Sequence, residues 1–394
     1  MTSRENNQSR RPRNPTLPSP ATVDAAGLPD DPLVEILSRL PVKPLHRCKC
    51  VARSWRDLID DPSNQKKLAQ TLEGFFLMED GDDGGHIDFV NLPARSVPLD
   101  IDLSFSFIKS LPGIEALAFL DSCNGLFLFK HHRKSAPRHV LGYIVCNPAT
   151  KEWGAVPDCG CPPLRFAWSS YLVFDPAVSP HFHLILFRCE PQQTTNSTEL
   201  RNILVMPHAY SSETGTWSHI PIDWNVEEEQ GHLEEWRYCG REPQDSPRRA
   251  FVDGMLHLLV LHPDSAVAVD VQGNTRRIIR VPKVSLLRAI YYPSGFSRIM
   301  VLKSAWVLLD KINLLDLFGT KNPSHGKMEL RFVAIHPDCN VVFLAQTSEL
   351  KLMSYDMDRK EVSVVGTLGN LNDLTHIVPY VPYFSKSPVF KCLH

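Results

Sequence analysis

Apolar residues fall at helical spacing in one short part of this chain and alternate in most of the rest. The helical part runs from Leu28 to Leu58. There Leu33, Ile36, Leu37 and Leu40 form one stripe, with Glu35, Ser38 and Arg39 on the other side. Asp30 or Asp31 is placed to cap this first helix, Pro32 suits its first position, and Pro41 ends it. A second helix is expected from Pro44 to Pro62. Its stripe is Leu45, Cys48, Val51, Trp55 and Leu58, while His46, Arg47, Lys49, Arg53 and Arg56 make the other face basic. Two such helices carry more apolar surface than they can hide from each other, and below roughly 40 residues a chain seldom buries enough to fold alone. The pair packs either on the rest of this chain or on the helices of a partner.

From residue 70 onward the helical spacing fades and short β-rich runs take over, punctuated by turn residues. One recurring phrase is a run that follows a turn glycine, as in Asn124-Gly125 before Leu126–Phe129 and Asp253-Gly254 before Met255–Leu258. Asn-Gly and Asp-Gly mark tight hairpins because both central residues tolerate positive φ. A second phrase is a strand, a polar turn and then a Trp or aliphatic residue. Tyr143 to Trp153 is the clearest instance, Tyr210 to Trp217 repeats it, and Tyr355 to Val362 and Val269 to Thr275 are weaker copies. Each phrase is an antiparallel hairpin in a small sheet, and Trp153 and Trp217 are expected in the core between sheets. One small sheet cannot bury its face alone, so several must stack around an axis; at ~50 residues per blade the remaining ~320 residues allow about six. The expected fold is a small all-α module followed by an all-β domain, an irregular kelch-like β-propeller of about six blades, with a pair of β-sandwiches as the alternative. Gly74–Met78 and His376–Phe384 are the first and last β-like runs and are expected in one closing blade, with Pro379 and Pro382 on an edge.

The helical stretch resembles an F-box. The family's opening Leu-Pro is Leu28-Pro29 here. Its Ile-Leu-x-x-Leu-Pro run is Ile36, Leu37, Leu40 and Pro41, and its Val-x-x-x-Trp pair is Val51 and Trp55, followed by Leu58 and Ile59. Pro32 departs from the family pattern, but it lies at the helix start. The resemblance implies docking on a Skp-type adaptor and, through it, on the cullin and RING subunits of a ubiquitin ligase. The adaptor-facing residues it implies are Leu28, Pro29, Ile36, Leu40, Pro41, Leu45, Val51 and Trp55. The later phrases SCNGLFLF, VCNPATKEW, SSETGTW, FVDGMLH and SYDMDRKEV are similar to the F-box-associated, kelch-like region of a large plant F-box family. That similarity runs from Ser122 to Val362 and weakens between Ser285 and Lys327, where no blade phrase is legible.

Composition narrows the class. Hydrophobic residues make up 43% and charged residues 22%, as in a globular chain, and 32 prolines fit many turns and few long helices. A net charge of −2 gives no long-range pull toward nucleic acid or membrane, and no apolar run reaches the ~18 residues of a membrane span. The ten cysteines are scattered without a secretion signal, so reduced thiols and a cytoplasmic or nuclear location are expected. Arg10, Arg11 and Arg13 make either a nuclear import signal or a solvated tail. The expected organisation is a disordered tail over residues 1–24, the F-box over 25–66 and the β domain over 70–390.

No constellation of catalytic type stands out. Cys159 and Cys161 form a C-x-C pair that Cys189 and Cys239 could in principle complete as a structural zinc site, but nothing in the sequence fixes their position. His181 and His183 share a strand face without an identifiable third ligand. Asp80 to Asp88 fails the calcium-loop rule, since Gly84 and Asn91 fall where oxygen ligands are required. Lys130 to Lys134 is basic but lacks the aromatics that base stacking requires. No cofactor or metal is expected. Propeller loops carry binding, and the long stretch Asn225–Arg249 holds Trp236, Arg237, Tyr238 and Arg241, residue types that anchor protein interfaces; they are the candidate contacts to an unknown target protein, with a strand position in a blade as the other reading. The resulting expectation is a non-catalytic substrate receptor of a cullin–RING ligase. The alternatives are an F-box scaffold outside the ligase, or a propeller that binds a carbohydrate or carries enzymatic activity.

Overall fold

The computed structural model describes residues 29–40, 42–61, 64, 67–68, 72–79, 86–92, 101–160, 169–191, 203–219, 236, 249–261, 264–280, 296–302, 306–313, 330–337, 339–347, 349–369, 375–385 and 387–392. The chain divides into two compact units, residues 1–68 and 69–394. Among the described residues no helix is long and apolar enough to cross a membrane.

The first unit holds α1 (Asp30–Ser38), α2 (Val42–Cys48) and α3 (Arg53–Asp60). Neither aspartate caps α1: the N-cap is Pro29, in extended conformation, whose carbonyl accepts the Leu33 N–H at 3.2 Å. Asp30 and Asp31 instead lie in the first turn, where their charge meets the positive end of the helix dipole. The expected second helix is two helices. Tight i→i+3 bonds from Cys50 to Arg47 and from Val51 to Cys48 close α2, and Ala52 is extended (φ −152°, ψ 159°) before α3 starts. That break lets Val51 turn outward while Trp55 and Leu58 pack inward.

The second unit is an all-β propeller. β1 (Gly74–Glu79) and β2 (Ile87–Asn91) are followed by the one-turn helix α4 (Ser106–Lys109). The first full blade is β3 (Ala116–Cys123), β4 (Leu126–Arg133), β5 (Ala136–Asn147) and β6 (Glu152–Pro157). The second is β7 (Ser169–Val173), β8 (His183–Pro191), β9 (Ile203–Ser211) and β10 (Thr216–His219). The third is β11 (Arg249–Val252), β12 (Met255–Leu261), β13 (Asp264–Val269) and β14 (Thr275–Arg280). A two-stranded ladder, β15 (Phe296–Leu302) with β16 (Trp306–Asn313), comes next. The fourth blade is β17 (Leu330–Ile335), β18 (Val341–Gln346), β19 (Lys351–Asp356) and β20 (Glu361–Thr367). β21 (Thr375–Tyr380) completes a fifth blade with β1 and β2, and β22 (Lys391–Cys392) adds an outer strand to the first. Among the described residues the blades number five, against the expected count of about six. The region without a blade phrase contributes only the two-stranded ladder among the described residues.

Period-two alternation packs the blades face to face. On β1, Phe76 and Met78 point to a core shared with the first blade, while Phe75 and Leu77 point to a core shared with the fourth. On β4, Phe127 and Phe129 face the closing blade, and Leu126 and Leu128 face the second. On β8, Leu184 and Leu186 face the first blade, and Ile185 and Phe187 face the third. Central strands buried on both sides read as continuous apolar runs, which is why GFFLM, LFLF and LILF stand out in the sequence. Trp153 and Trp217 are only half-buried at the margins of these clusters, a correction to their expected core position. The Trp217 Nε1–H donates to the Pro157 carbonyl at 2.9 Å.

The third-to-fourth-strand turn repeats in four blades. Asn147, Ser211, Asp270 and Asp356 each accept, through the side chain, the N–H two residues on, at 2.9 to 3.3 Å. Lys151, Gly215 and Lys360, four residues after the accepting side chain, then take positive φ (58°, 70° and 61°), and in the third blade Gly273 does so (93°) one residue earlier in the turn. The Asn124-Gly125 and Asp253-Gly254 hairpins also have both residues at positive φ, as their sequences demand.

Ring closure follows the sequence expectation. β1 pairs antiparallel with β21, Phe75 opposite Pro379 and Phe76 opposite Val378, with β21 on the sheet edge where its proline is tolerated. Beyond β21 the chain packs between the first two blades. Phe390 stacks on Phe182 (5.7 Å), Tyr383 meets Phe174 edge to face (5.2 Å), and the Asn147 side-chain amide donates to the Tyr383 carbonyl at 2.6 Å. Gly125 is required there, because a Cβ would lie 2.6 Å from the Val381 carbonyl oxygen.

Candidate functional site

The helical module builds its core from Leu33, Leu37, Leu45, Ile59 and Leu68, with Leu40, Cys48, Trp55 and Leu58 at its margin. Burial pushes the Cys48 thiol up from its ordinary value, away from reactivity. On α1, Leu33, Val34 and Leu37 turn inward, and Ile36 lies off the side of that stripe, 50% exposed. Val51, held outward by the turn before α3, is 66% exposed. Covering each of these side chains is worth on the order of 1 kcal/mol. Around them stand the exposed Glu35–Arg39 ion pair (2.8 Å) and the exposed Arg47, Arg53 and Arg56.

The eight residues expected to face an adaptor separate into groups. Pro29, Ile36 and Val51 are exposed, and Leu40 and Trp55 are half-buried at the core margin. Leu45, at 4% exposure, lies in the module's own core. Leu28 and Pro41 lie outside the described residues.

Of the expected target-contact group, Trp236 is the one among the described residues. Trp236 is 4% exposed, its indole edge-on to Phe187 (5.7 Å) and its Nε1–H bonded to Thr275 Oγ1 (3.0 Å). It fills the core between the second and third blades, because a buried indole that finds a partner for its N–H is worth more inside than on a loop. Arg237, Tyr238 and Arg241 lie outside the described residues. Among the described residues, no three His, Cys, Asp or Glu side chains converge to hold a metal ion. His183 is lowered by burial, which outweighs the nearby Glu213 carboxylate. Sequence reasoning missed a buried Asp121–Arg249 ion pair between blades, which no local pattern announces.

Among the described residues, a module of three short helices with exposed aliphatic side chains precedes an all-β propeller in the chain. The F-box domain family matches residues 26–67. F-box protein At5g07610 of Arabidopsis thaliana is 29% identical over 48% of this chain and 44% of its own length. F-box protein At5g49610 of the same plant is 26% identical over 72% of this chain and 75% of its own length. A third Arabidopsis relative, named for an F-box and kelch repeats (At3g17280), is 34% identical over 26% of each chain. The chain spans less than half of the first relative's length and three quarters of the second's. The chain carries an F-box over residues 26–67 followed by a β-propeller, and it is similar to these plant F-box proteins.

Proposed function

We propose that this chain is the substrate receptor of an SCF-type cullin–RING ubiquitin ligase. Its F-box docks a Skp-type adaptor through Leu28, Pro29, Ile36, Leu40, Pro41, Val51 and Trp55, and its propeller holds a target protein. The observation that carries this reading is the coincidence of the F-box match over residues 26–67 with Ile36 and Val51 left 50% and 66% exposed on an otherwise closed small core. Aliphatic side chains left in water on a module this small favour coverage by a partner's helices. In this reading the chain performs no bond chemistry. It raises the local concentration of a target lysine at a charged conjugating enzyme.

The test is co-purification of the full-length chain with a Skp-type adaptor and cullin. The Ile36→Asp, Val51→Asp double variant should weaken capture by about tenfold or more while the melting temperature stays put, since neither side chain is in the core. Capture at wild-type strength would refute the docking assignment.

A further inference from the structure

Asp121, Leu172 and Arg249 come from the first strands of three consecutive blades and meet at one point. Asp121 follows a register shift in β3, and its side chain is 5% exposed. Its carboxylate accepts the N–H of Ser122 (2.8 Å) and the N–H of Leu172 on β7 (2.7 Å). Arg249, at the head of β11, pairs with the same carboxylate through Nη2, which also donates to the Ser122 carbonyl at 2.9 Å. The guanidinium carbon lies 5.8 Å from the centre of the Tyr171 ring. β3, β7 and β11 each end the strand order of their blade, and β3 lies against β7. The first strands of a propeller's blades line its axis. A side chain that joins the first blade to the third therefore passes on the axial side of the second.

The donor inventory separates the two partners. Both Nη2 hydrogens serve Asp121 and Ser122, whereas Nε–H and both Nη1 hydrogens have no partner among the described residues. The Arg249 side chain is 19% exposed against 5% for Asp121, so among the described residues the open side of the pair presents donors and no acceptor. Asp121 and the Tyr171 face fix the guanidinium, so little freedom is lost when it receives a ligand. The pair has no net charge. A dianionic phosphate gains little net Coulomb attraction there, while a carboxylate needs less desolvation and finds oriented, charge-assisted donors.

We propose that Arg249 is a carboxylate-recognition residue on the axial side of the propeller, taking an Asp or Glu side chain of a target segment. The link to a target rests on the receptor reading above; the carboxylate site itself does not.

The experiment titrates the 15N-labelled full-length chain with acetyl-Gly-Glu-Gly-amide, with its Gln counterpart and with its phosphoserine counterpart, following arginine Nε–H resonances by NMR. Arg249→Lys identifies the Arg249 resonance by its disappearance. The expected result is a saturable shift of that resonance with the Glu peptide and none with the Gln peptide. Ligand-observed titration of Arg249→Lys should show at least about tenfold weaker binding of the Glu peptide at an unchanged fold. No shift, an equal shift with Gln, or tighter binding of the phosphoserine peptide would overturn the assignment. If Arg249→Lys fails to fold, the shifts of all arginine Nε–H resonances in the wild-type Glu and Gln titrations decide alone. Adaptor capture measured on the same sample keeps the two readings apart: lost capture with intact Glu binding removes the receptor reading only, and the reverse removes this site only.

Discussion

Phe76 and Tyr380 meet edge to face with ring centroids 5.1 Å apart, one on the first strand of the propeller and the other on the strand that closes it. Phe89 and Phe127 complete an aromatic shell around Tyr380. Its ring is 1% exposed, and its hydroxyl is buried without a hydrogen-bond partner among the described residues. Burial pushes the phenol well above its ordinary value, so it stays neutral at any working pH. Tyr380→Phe should leave stability unchanged or raise it, since it removes a buried unpaired polar group, whereas Tyr380→Ala should cost about 3–5 kcal/mol. Chemical denaturation of both variants checks this; a large loss for Tyr380→Phe would show that the hydroxyl has a partner.

Trp236 and Trp217 should respond differently to truncation. Trp236→Ala empties a site between two blades and should cost about 3–5 kcal/mol. Trp217 is half-buried, against Tyr143 and Tyr210, so Trp217→Ala should cost clearly less. Equal losses in urea melts would contradict this difference in burial.

The repeated turn predicts a reciprocal pair of effects. Lys360 holds φ at 61°, a conformation that costs a side-chain-bearing residue about 1–2 kcal/mol, partly offset in glycine by its greater loss of backbone freedom. Lys360→Gly should therefore raise stability by up to about 1 kcal/mol. Gly215 occupies the same place in the second blade. Nothing lies within 4 Å of where a Cβ would stand there, so Gly215→Ala should lose a similar amount through the backbone alone. Thermal melts that move the other way would refute the shared geometry.

Asp102 carries a pH signature. Burial raises its carboxyl, but hydrogen bonds from the Ser106 and Ser104 hydroxyls and from the Phe107 and Ser104 N–H groups outweigh this and lower it. A carboxyl lowered by folding contributes stability above its ordinary range and loses that contribution as pH falls through its folded value. Asp102→Asn should melt below the wild type at neutral pH, and the gap should narrow in acid below the ordinary aspartate range. A gap that stays constant with pH would assign the loss to shape and not to charge.

Local signals in the sequence were the reliable ones. Asn124-Gly125 and Asp253-Gly254 dictate their turns through backbone sterics, and GFFLM announces a strand buried on both faces. The helix stripe Leu45, Cys48, Val51, Trp55 and Leu58 misled, because helical periodicity survives the break at Ala52 that divides α2 from α3. Exposure within that stripe depended on the break, which is why Val51 faces outward and Leu45 does not. Trp236 looked like an interface anchor because composition cannot tell a loop indole from one that finds Thr275 for its N–H. The Arg249 clasp was invisible for a different reason: its acceptor Ser122 stands 127 residues earlier, and only the radial order of the blades brings them together.

The pairing of β1 with β21 has a consequence for biosynthesis. β1 leaves the ribosome soon after the helical module, yet its edge partner is translated only after four blades have been made. Until then the row of N–H and C=O groups from Gly74 to Glu79 has no ladder on that side, and closure waits on a contact between distant parts of the chain. A polypeptide terminated early by a nonsense codon displays that bare edge together with Phe75 and Phe76, a template for aggregation and for chaperone capture. Only a chain translated through Tyr380 conceals it.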